Sequence, residues 1–439
     1  MKNSMILAAA AALALVACAK VETFKTVENE EIGFGVYVPK TATKAGAAGT
    51  ITQTGAESTT SLQTVGFGVF AYYTDGASYP ASNNSLKPNF MYNTKVSGAS
   101  WSYAPIKYWP NETIDDNNDA YGPAAADKLS FFAYAPHVGL VNDATNGNDF
   151  DGSAETTGIT ELTSKSTTSD PKVTYAVSTT PDTAVDLLWA VAPVGGFSYT
   201  DVHNTPVNVA EGMPLKDLTK PNTTEKISFR FRHATARLGL KIQGAFDQVA
   251  AGGTQDAPTK VTVEKVELVD VPVITTGVLN LNNTVADTPE WENLAAATAT
   301  TFTVEGTNLN AEIKDSGSDE VQTVTGVTNA EKNVFKDVKT FFTLIPVDDV
   351  TTVRVKITYY VTTEDKALDG GFSRVQNVIY KDITFGDDSV NPAVKAFEAG
   401  KAYTIKIILG LTSVKLEADV EDWDNVAAKE VDLPINTAV

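Results

Sequence analysis

The sequence predicts an all-β protein made of two tandem antiparallel β-sandwich domains with long loop insertions. Short runs of alternating apolar and polar residues recur along the chain, separated by Gly, Asn, Asp and Pro. Long stretches with a helical period are rare. With 439 residues the chain is too long for one small core, so two sandwiches of about 200 residues each are expected.

The first element is a predicted signal peptide, residues 1–17. A lysine at position 2 precedes an unbroken apolar run over residues 5–17. As a helix this run is about 20 Å long, which is short for a hydrocarbon core of about 30 Å but suits a signal peptide. The run ends in Leu15-Val-Ala-Cys18, which resembles the bacterial lipobox. This resemblance implies that Cys18 is acylated and that residues 18–31 form a lipidated tether. An ordinary signal peptide with an incidental cysteine is the alternative.

The predicted N-terminal sandwich, residues 32–223, opens with a strongly one-sided strand. Four alternating apolar residues share one face, while two glycines and Tyr37 lie on the other. The apolar residues are Ile32, Phe34, Val36 and Val38. Pro39 ends the strand, and a stretch rich in Thr, Ala, Gly and Ser follows. A further strand is predicted at residues 65–73, and aromatic-rich segments follow at residues 101–103, 108–110, 129–134 and 187–190.

The predicted C-terminal sandwich, residues 224–439, contains many alternating segments. Strands are predicted at residues 227–231, 238–242, 261–269, 339–347, 352–362, 376–385, 403–411 and 413–420. The chain ends in a further alternating segment with Val431, Leu433 and Ile435 on one face. Pro434 lies within it, and because proline donates no backbone hydrogen bond, this strand is predicted at a sheet edge.

Composition excludes several classes of function. The net charge of −20, from 54 acidic against 34 basic residues, argues against nucleic acid as a partner. Cys18 is the single cysteine, so no disulfide can form within the chain. No later segment reaches the roughly 18 consecutive apolar residues of a membrane-spanning helix.

No catalytic, cofactor or metal site is predicted. The three histidines are not in metal-binding spacing, and nucleophile and phosphate-binding motifs are absent from the sequence. The predicted role of His233 is packing. Loops 115–119 and 142–151 are rich in Asp and Asn but do not follow the EF-hand order, so they are interpreted as solvated loops rather than calcium sites.

Two smaller observations concern the surface. Trp109 and Trp189 are interpreted as core or strand-end residues, with a sugar-stacking platform as the alternative. The triplets at Asp182-Thr183-Ala184 and Asp388-Ser389-Val390 resemble the O-glycosylation signal of exported Bacteroidales proteins, with Thr183 and Ser389 as acceptors.

Several segments together resemble the Bacteroidales fimbrillins, the subunits of type V pili, in the family's order and over nearly the whole chain. They are the lipobox, the strand at 32–38 with the following Thr-Ala-Thr-Lys44-Ala45-Gly, Tyr108-Trp-Pro, Phe131-Phe-Ala-Tyr-Ala-Pro136, Phe229-Arg-Phe-Arg-His233-Ala-Thr-Ala-Arg237, Gly400-Lys-Ala-Tyr403-Thr-Ile, Leu409-Gly-Leu411 and Val420-Glu-Asp-Trp423. The resemblance implies transthyretin-like sandwiches and a structural, non-enzymatic role in surface adhesion.

The resemblance also implies an assembly mechanism. The precursor reaches the outer membrane as a lipoprotein, and a surface trypsin-like protease cuts after the first strand. The C-terminal strand of another pilus subunit, here Val431, Leu433 and Ile435, then fills the emptied groove in a head-to-tail polymer. The period-two apolar residues of both strands are consistent with this exchange.

One departure leaves alternatives open. The family's cut usually follows arginine, but the first arginine here is Arg230. The candidates are Lys40, Lys44 or neither, and Lys44, followed by Ala45, has the better context. An uncut chain would be an anchor subunit or a protein with another role. A surface glycan-binding lipoprotein is the alternative function, and an enzyme is the third.

Overall fold

The computed structural model describes residues 30–37, 62–80, 85–110, 127–140, 158–245, 259–314, 326–336, 340–348, 352–384, 396–410 and 414–423. Regular structure in these ranges is almost entirely β-strand, which confirms the all-β prediction. The single short α-helix among them is α1 (Leu62–Val65), and 3₁₀ turns occur at Pro181–Thr183 and Gly306–Asn308. None of the helices in these ranges has the length and apolar character needed to cross a membrane.

The strands of the first half precede residue 224. They are β1 (Gly33–Val36), β2 (Phe67–Tyr73), β3 (Met91–Val96), β4 (Leu129–Ala135), β5 (Ile159–Leu162), β6 (Lys172–Ala176), β7 (Leu188–Val191), β8 (Phe197–Thr200), β9 (Pro206–Val209) and β10 (Leu215–Leu218).

The strands of the second half include the longest of the fold. They are β11 (Lys226–His233), β12 (Ala236–Gly244), β13 (Thr259–Val273), β14 (Thr276–Asn280), β15 (Glu290–Glu292), β16 (Thr298–Glu305), β17 (Lys332–Asn333), β18 (Phe342–Leu344), β19 (Val347–Asp348), β20 (Thr352–Glu364), β21 (Phe372–Thr384), β22 (Ala396–Phe397), β23 (Lys401–Leu409) and β24 (Val414–Asp422).

A seven-stranded sheet and a four-stranded sheet, both built from strands of the two halves, pack together. The seven-stranded sheet has the order β1-β11-β7-β4-β2-β3, with β10 also paired to β4. The four-stranded sheet has the order β15-β14-β6-β5. Phe132 and Trp189 of the large sheet share one apolar cluster with Val173 and Leu279 of the small sheet, so the two faces are in contact.

The opposite face of the seven-stranded sheet encloses a second apolar cluster. Phe67, Phe131 and Phe229 lie in it, each buried. The two-stranded β8–β9 ribbon contributes Phe197 to its cover. The side chains of β1 point into this cluster.

A second pair of sheets forms the other core. The order β17-β12-β23-β24, with β18 also paired to β12, faces the order β16-β13-β20-β21. Buried residues of both sheets, such as Leu240, Ile405, Val266 and Ile357, belong to one cluster. This face-to-face arrangement is that of a β-sandwich.

Strands from both sides of the predicted boundary at 223/224 share sheets. β11 pairs with β1 and β7, and β14 pairs with β6. The predicted boundary lies between β10 and β11, and strands on both sides of it therefore contribute to the same sheets. The division of the chain into domains at this point remains a prediction.

Candidate functional site

The candidate functional site is the edge position that β1 occupies in the seven-stranded sheet. β1 runs parallel to β11, with Phe34 beside Ile227 and Val36 beside Phe229. Two residues before β1, Glu31 forms an isolated antiparallel β-bridge with Tyr108. A strand of only four residues thus completes one edge of the sheet, near the start of the described chain.

Phe34 makes the densest contacts of β1. Its side chain is 1% exposed, and its ring is stacked on Phe229 at 6.1 Å between centroids. Edge contacts join it to Tyr103 at 5.2 Å, Phe131 at 6.0 Å and Phe67 at 6.3 Å. Edge-to-face and offset geometry is favourable for aromatic pairs, so this ring is locked into a pocket of matching shape.

The burial of β1 is uneven along its length. Ile32 is 0% exposed, as deep in the core as Phe34, whereas Val36 is half-buried against the same cluster. Each fully buried side chain of this size contributes about 1.5–3 kcal/mol. Removing β1 would therefore expose an apolar groove that a strand with the same periodicity could refill. Val38, the fourth predicted residue of this face, lies outside the described residues.

Hydrogen bonds from residues 103–109 hold the chain at Ile32 on the side facing away from β11. The amide of Ile32 donates to the carbonyl of Lys107 at 2.9 Å, and the Tyr103 hydroxyl donates to the carbonyl of Ile32 at 2.7 Å. Trp109 N donates to Glu30 O at 2.9 Å. The segment at residues 103–109 is therefore a clamp on the first half of the strand, and we refer to it below as the 103–109 clamp.

A partly buried carboxylate lies at the entrance to β1. Burial raises the pKa of Glu30, and the positive charge of Lys220 opposes that shift. One carboxylate oxygen of Glu30 is buried and has no hydrogen-bond partner among the described atoms. Burial also raises the pKa of the Tyr103 hydroxyl, which keeps it protonated as the donor to Ile32. The ionised Glu30 side chain is thus poorly solvated where the chain enters the strand.

The remaining predicted site residues lie outside the described ranges. These are Cys18, Lys40, Lys44 and Ala45, and the C-terminal Val431, Leu433 and Ile435. The chain reappears at α1, where Leu62 is fully buried in the same cluster as Phe34. Lys40 and Lys44 thus belong to the connection between β1 and α1, while Ser389 and both Asp/Asn-rich loops also lie outside the description.

The sequence did not predict most of the residues that contact β1. The parallel partner β11 and the 103–109 clamp are far from β1 in sequence, and no local periodicity links them. The Tyr108-Trp-Pro motif was a partial signal, since Trp109 is buried in the same cluster.

His233 is confirmed as a packed residue. Its Nδ1 lies 2.8 Å from an oxygen of Asp186, and both side chains are buried. The ring stacks on Trp423 with 4.1 Å between centroids and an angle of 4°. Because the indole of Trp423 covers one face of the His233 imidazole, these two residues form a packing contact between β11 and the end of β24.

The tryptophans are core residues rather than a platform. Trp109 and Trp189 are 3% and 1% exposed, which confirms their interpretation, and Trp423 is equally buried. Trp101 and Trp291 are half-buried. No row of exposed tryptophans is therefore available for sugar stacking, since all five lie within the described ranges.

One shallow cleft of about 310 Å³ lies beside β5 and β6, lined by hydroxyl groups together with Glu161 and Lys172. Thr183 is exposed, with its hydroxyl bonded to Ser178 and Thr180. Among the described side chains, no group of three or more His, Cys, Asp or Glu is placed to hold a metal ion.

Comparison with known proteins gives two informative similarities. The fimbrium subunit Fim1C of Phocaeicola vulgatus (strain ATCC 8482) is 27% identical over 220 residues, which cover 49% of this chain and 44% of that protein. This chain thus matches less than half the length of that curated relative. No family model matches the sequence.

The second similarity is structural. The crystal structure of a fimbrial protein from Bacteroides vulgatus ATCC 8482 aligns with a TM-score of 0.53 and 21% identity, over 90% of this chain and 100% of that one. The all-β architecture is therefore shared with a fimbrial protein.

Proposed function

Because this chain is related to the fimbrillins of Bacteroidales, we propose that it is a structural subunit of a surface fimbria and assembles by exchange of β1. The observation that supports the proposal most directly is the seating of β1. This short edge strand buries Phe34 completely in the core, and Ile32 immediately before it is buried to the same degree.

The proposal includes export as a lipoprotein. Residues 1–17 are removed, and lipid on Cys18 holds the precursor at the outer membrane. Two acyl chains give the stable anchoring that one chain does not. A surface trypsin-like protease then cuts after Lys44, so that the subunit begins at Ala45 and loses the lipid together with β1.

The emptied groove is refilled by the C-terminal strand of another subunit, through Val431, Leu433 and Ile435. Since every subunit accepts one strand and donates another, the contact is heterologous and extends head to tail into a filament. The pilus acts in surface adhesion, and the subunit has no catalytic role.

The proposal is tested with precursor carrying Cys18→Ser, which remains soluble for biochemistry. Limited digestion with a trypsin-like protease should yield an N-terminus at Ala45 and, on standing, a ladder of polymers resistant to mild detergent. Lys44→Gln should block both, whereas Lys40→Gln should block neither. A digest in which Lys44→Gln still polymerises would contradict the assigned cut.

Deletion of residues 431–439 tests strand donation separately, because the truncated subunit keeps the groove that accepts a strand but lacks the strand to donate. The truncated subunit should be cut normally but fail to polymerise, while still capping polymers of the intact subunit. If the truncated protein polymerises alone, the C-terminal strand is not the donor. Binding of the uncut monomer to a glycan array would instead favour the alternative of a glycan-binding lipoprotein.

A further inference from the structure

The strand β21 is a long edge strand of the β16-β13-β20-β21 sheet. Its thirteen residues pair along their whole length with β20, which is its only ladder partner in the described part of the chain. β24 of the facing sheet packs beside β21 without forming a ladder with it. A strand of this length with one free edge presents a row of backbone groups that can pair with another strand.

The backbone groups on the free edge of β21 belong to its even-numbered residues. At the β20–β21 turn, the amide of Asp365 donates to the carbonyl of Gly371 at 2.8 Å, so these two residues form a hydrogen-bonded pair. Bonded and non-bonded pairs alternate along an antiparallel ladder, and the register of β20 with β21 is continuous. Odd-numbered residues such as Ile379 therefore bond to β20, while even-numbered residues such as Val378 direct their backbone groups to the free edge.

The side chains of the central even-numbered residues are exposed on the outer face of the same edge. Tyr380 and Val378 are 58% and 48% exposed. The exposed polar residues of this row are Arg374, Gln376 and Asp382. Single exposed apolar residues are ordinary on a protein surface, but these two lie beside free backbone groups, and the row carries opposite charges at its two ends.

Two copies of β21 match each other when they pair antiparallel about Val378. In this register Phe372 lies opposite Thr384 of the second copy, so the whole strand is used. Even-numbered residues then oppose even-numbered residues, and each such pair can exchange two backbone hydrogen bonds. On the outer face, Val378 meets its own copy at the two-fold axis, and Gln376 lies opposite Tyr380 of the second copy.

The same register places Arg374 opposite Asp382 of the second copy, at both ends of the contact. Within the chain, Arg354 Nε lies 2.7 Å from one oxygen of Asp382 and Nη2 lies 3.1 Å from the other. The Arg374 guanidinium lies 3.8 Å from the centroid of the Tyr360 ring, which holds it on the same outer face. Opposite charges directly across a ladder are favourable. Sliding one strand by two residues in either direction removes both new ion pairs and shortens the ladder.

Lys381 makes the edge selective. It is exposed and belongs to the odd-numbered set, whose side chains lie on the other face of the sheet. A lysine on an edge strand discourages indiscriminate pairing. In the register about Val378 it lies opposite Val375, a 55% exposed residue that the aliphatic part of the lysine can cover.

We propose that two copies of this chain associate laterally through β21, antiparallel and in register about Val378, so that their two four-stranded sheets become one continuous sheet. The contact is isologous and therefore closes at two copies. It uses neither β1 nor the C-terminal segment, so it is independent of strand exchange. Where subunits also assemble head to tail, it joins filaments side by side.

Sedimentation velocity of the uncut Cys18→Ser precursor tests the association without strand exchange. We expect a reversible dimer that is half formed at about 10–100 µM, because an edge contact is small. Arg374→Asp opposes two carboxylates at both ends and should weaken dimerisation at least about tenfold. Lys165→Asp, at an exposed lysine between β5 and β6, makes the same change in net charge and should have no effect. A protein that stays monomeric up to about 1 mM, or equal weakening by both variants, would overturn the proposal.

Disulfide trapping in the same background measures the register. Val378→Cys places two thiols on the two-fold axis within disulfide range, so mild oxidation should give a covalent dimer. Gln376→Cys and Tyr380→Cys should each fail to crosslink alone, since identical residues are then about 13 Å apart along the strand, but a mixture of the two variants should crosslink. Crosslinking of Gln376→Cys alone, or dimers of Val378→Cys that do not crosslink, would show that another register or surface is used.

Proline at the axis tests the backbone contribution. Val378→Pro removes an amide that faces the free edge and is not used by β20, a position at which proline is tolerated. The variant should melt close to the parent protein and lose dimerisation. Unchanged dimerisation in a folded Val378→Pro variant would overturn the proposal, and so would dimers that appear only after deletion of residues 431–439, because the chain's own C-terminal segment would then be the occupant of this edge.

Discussion

Replacing Phe34 with alanine isolates the contribution of β1 to the uncut precursor. The ring is 1% exposed and touches four aromatic neighbours, of which Phe229 and Tyr103 hold it from two sides. Truncation of a buried Phe to Ala typically costs about 3–5 kcal/mol. Since the site is at a sheet edge and can partly collapse, we expect a loss of about 3 kcal/mol in the free energy of unfolding.

The measurement is urea denaturation of the Cys18→Ser precursor, followed by tryptophan fluorescence, to which Trp109 contributes from a position 6.3 Å from Phe131 in the same cluster. Phe302→Ala provides a matched control, because Phe302 is fully buried in the other core. It should destabilise the β12–β13 sandwich without loosening β1. Hydrogen exchange of β1 amides distinguishes the two variants.

The same substitution should leave the assembled polymer unchanged. Phe34 is discarded with β1 in the proposed mechanism, whereas Phe229 remains in the groove, so Phe34→Ala should weaken only the precursor and Phe229→Ala both states. A loss below about 1 kcal/mol in the precursor, or faster dissociation of polymers made from the Phe34 variant, would refute the reasoning.

Three further perturbations test the surroundings of the site. Because burial raises the pKa of Glu30, protonated Glu30 stabilises the folded protein at acidic pH, and this stabilisation is lost as the pH rises from the unfolded-state pKa of about 4.3 through the higher folded-state pKa. Glu30→Gln should therefore raise the midpoint of denaturant unfolding at pH 7 and make that midpoint less dependent on pH. An equal effect of Glu31→Gln, at an exposed side chain, would contradict this reasoning. Tyr103→Phe removes a 2.7 Å hydrogen bond to the β1 backbone and should cost about 0.5–1.5 kcal/mol in precursor stability, with hydrogen exchange of β1 rising in parallel; unchanged exchange would count against the clamp. Trp423→Ala removes the stack on His233 and should lower stability by about 3–5 kcal/mol in thermal denaturation, whereas Trp423→Phe should recover much of the loss; equal melting of both variants would show that the stack is unimportant.

The long and strongly alternating strands were predictable from the sequence. Residues 352–362 and 403–411 became β20 and β23, because their period-two faces cover a wide core. The short strands β8 and β9 were not predicted. β8 and β9 form a ribbon with largely exposed side chains, so burial imposes little alternation on them.

Of the candidate site, only the apolar residues in and next to β1 could be predicted from the sequence. Ile32 and Phe34 follow a simple apolar period, and both are buried as expected. The acceptor side depends on which distant segments meet, and β11 and Tyr103 are brought to β1 by sheet topology rather than by any local pattern. The sharing of sheets across residue 224 has the same origin, since strand pairing between β6 and β14 leaves no trace in either segment.

The uneven seating of β1 makes the precursor mechanically asymmetric. The end of the strand next to Glu30 is held by three hydrogen bonds from residues 103–109 and by the buried side chain of Ile32. A free end created beyond Tyr37 starts at half-buried Val36, where contacts can break one after another. In the proposed mechanism, tension from the lipid anchor acts on the hydrogen-bonded end of the strand, and the cut frees the half-buried end.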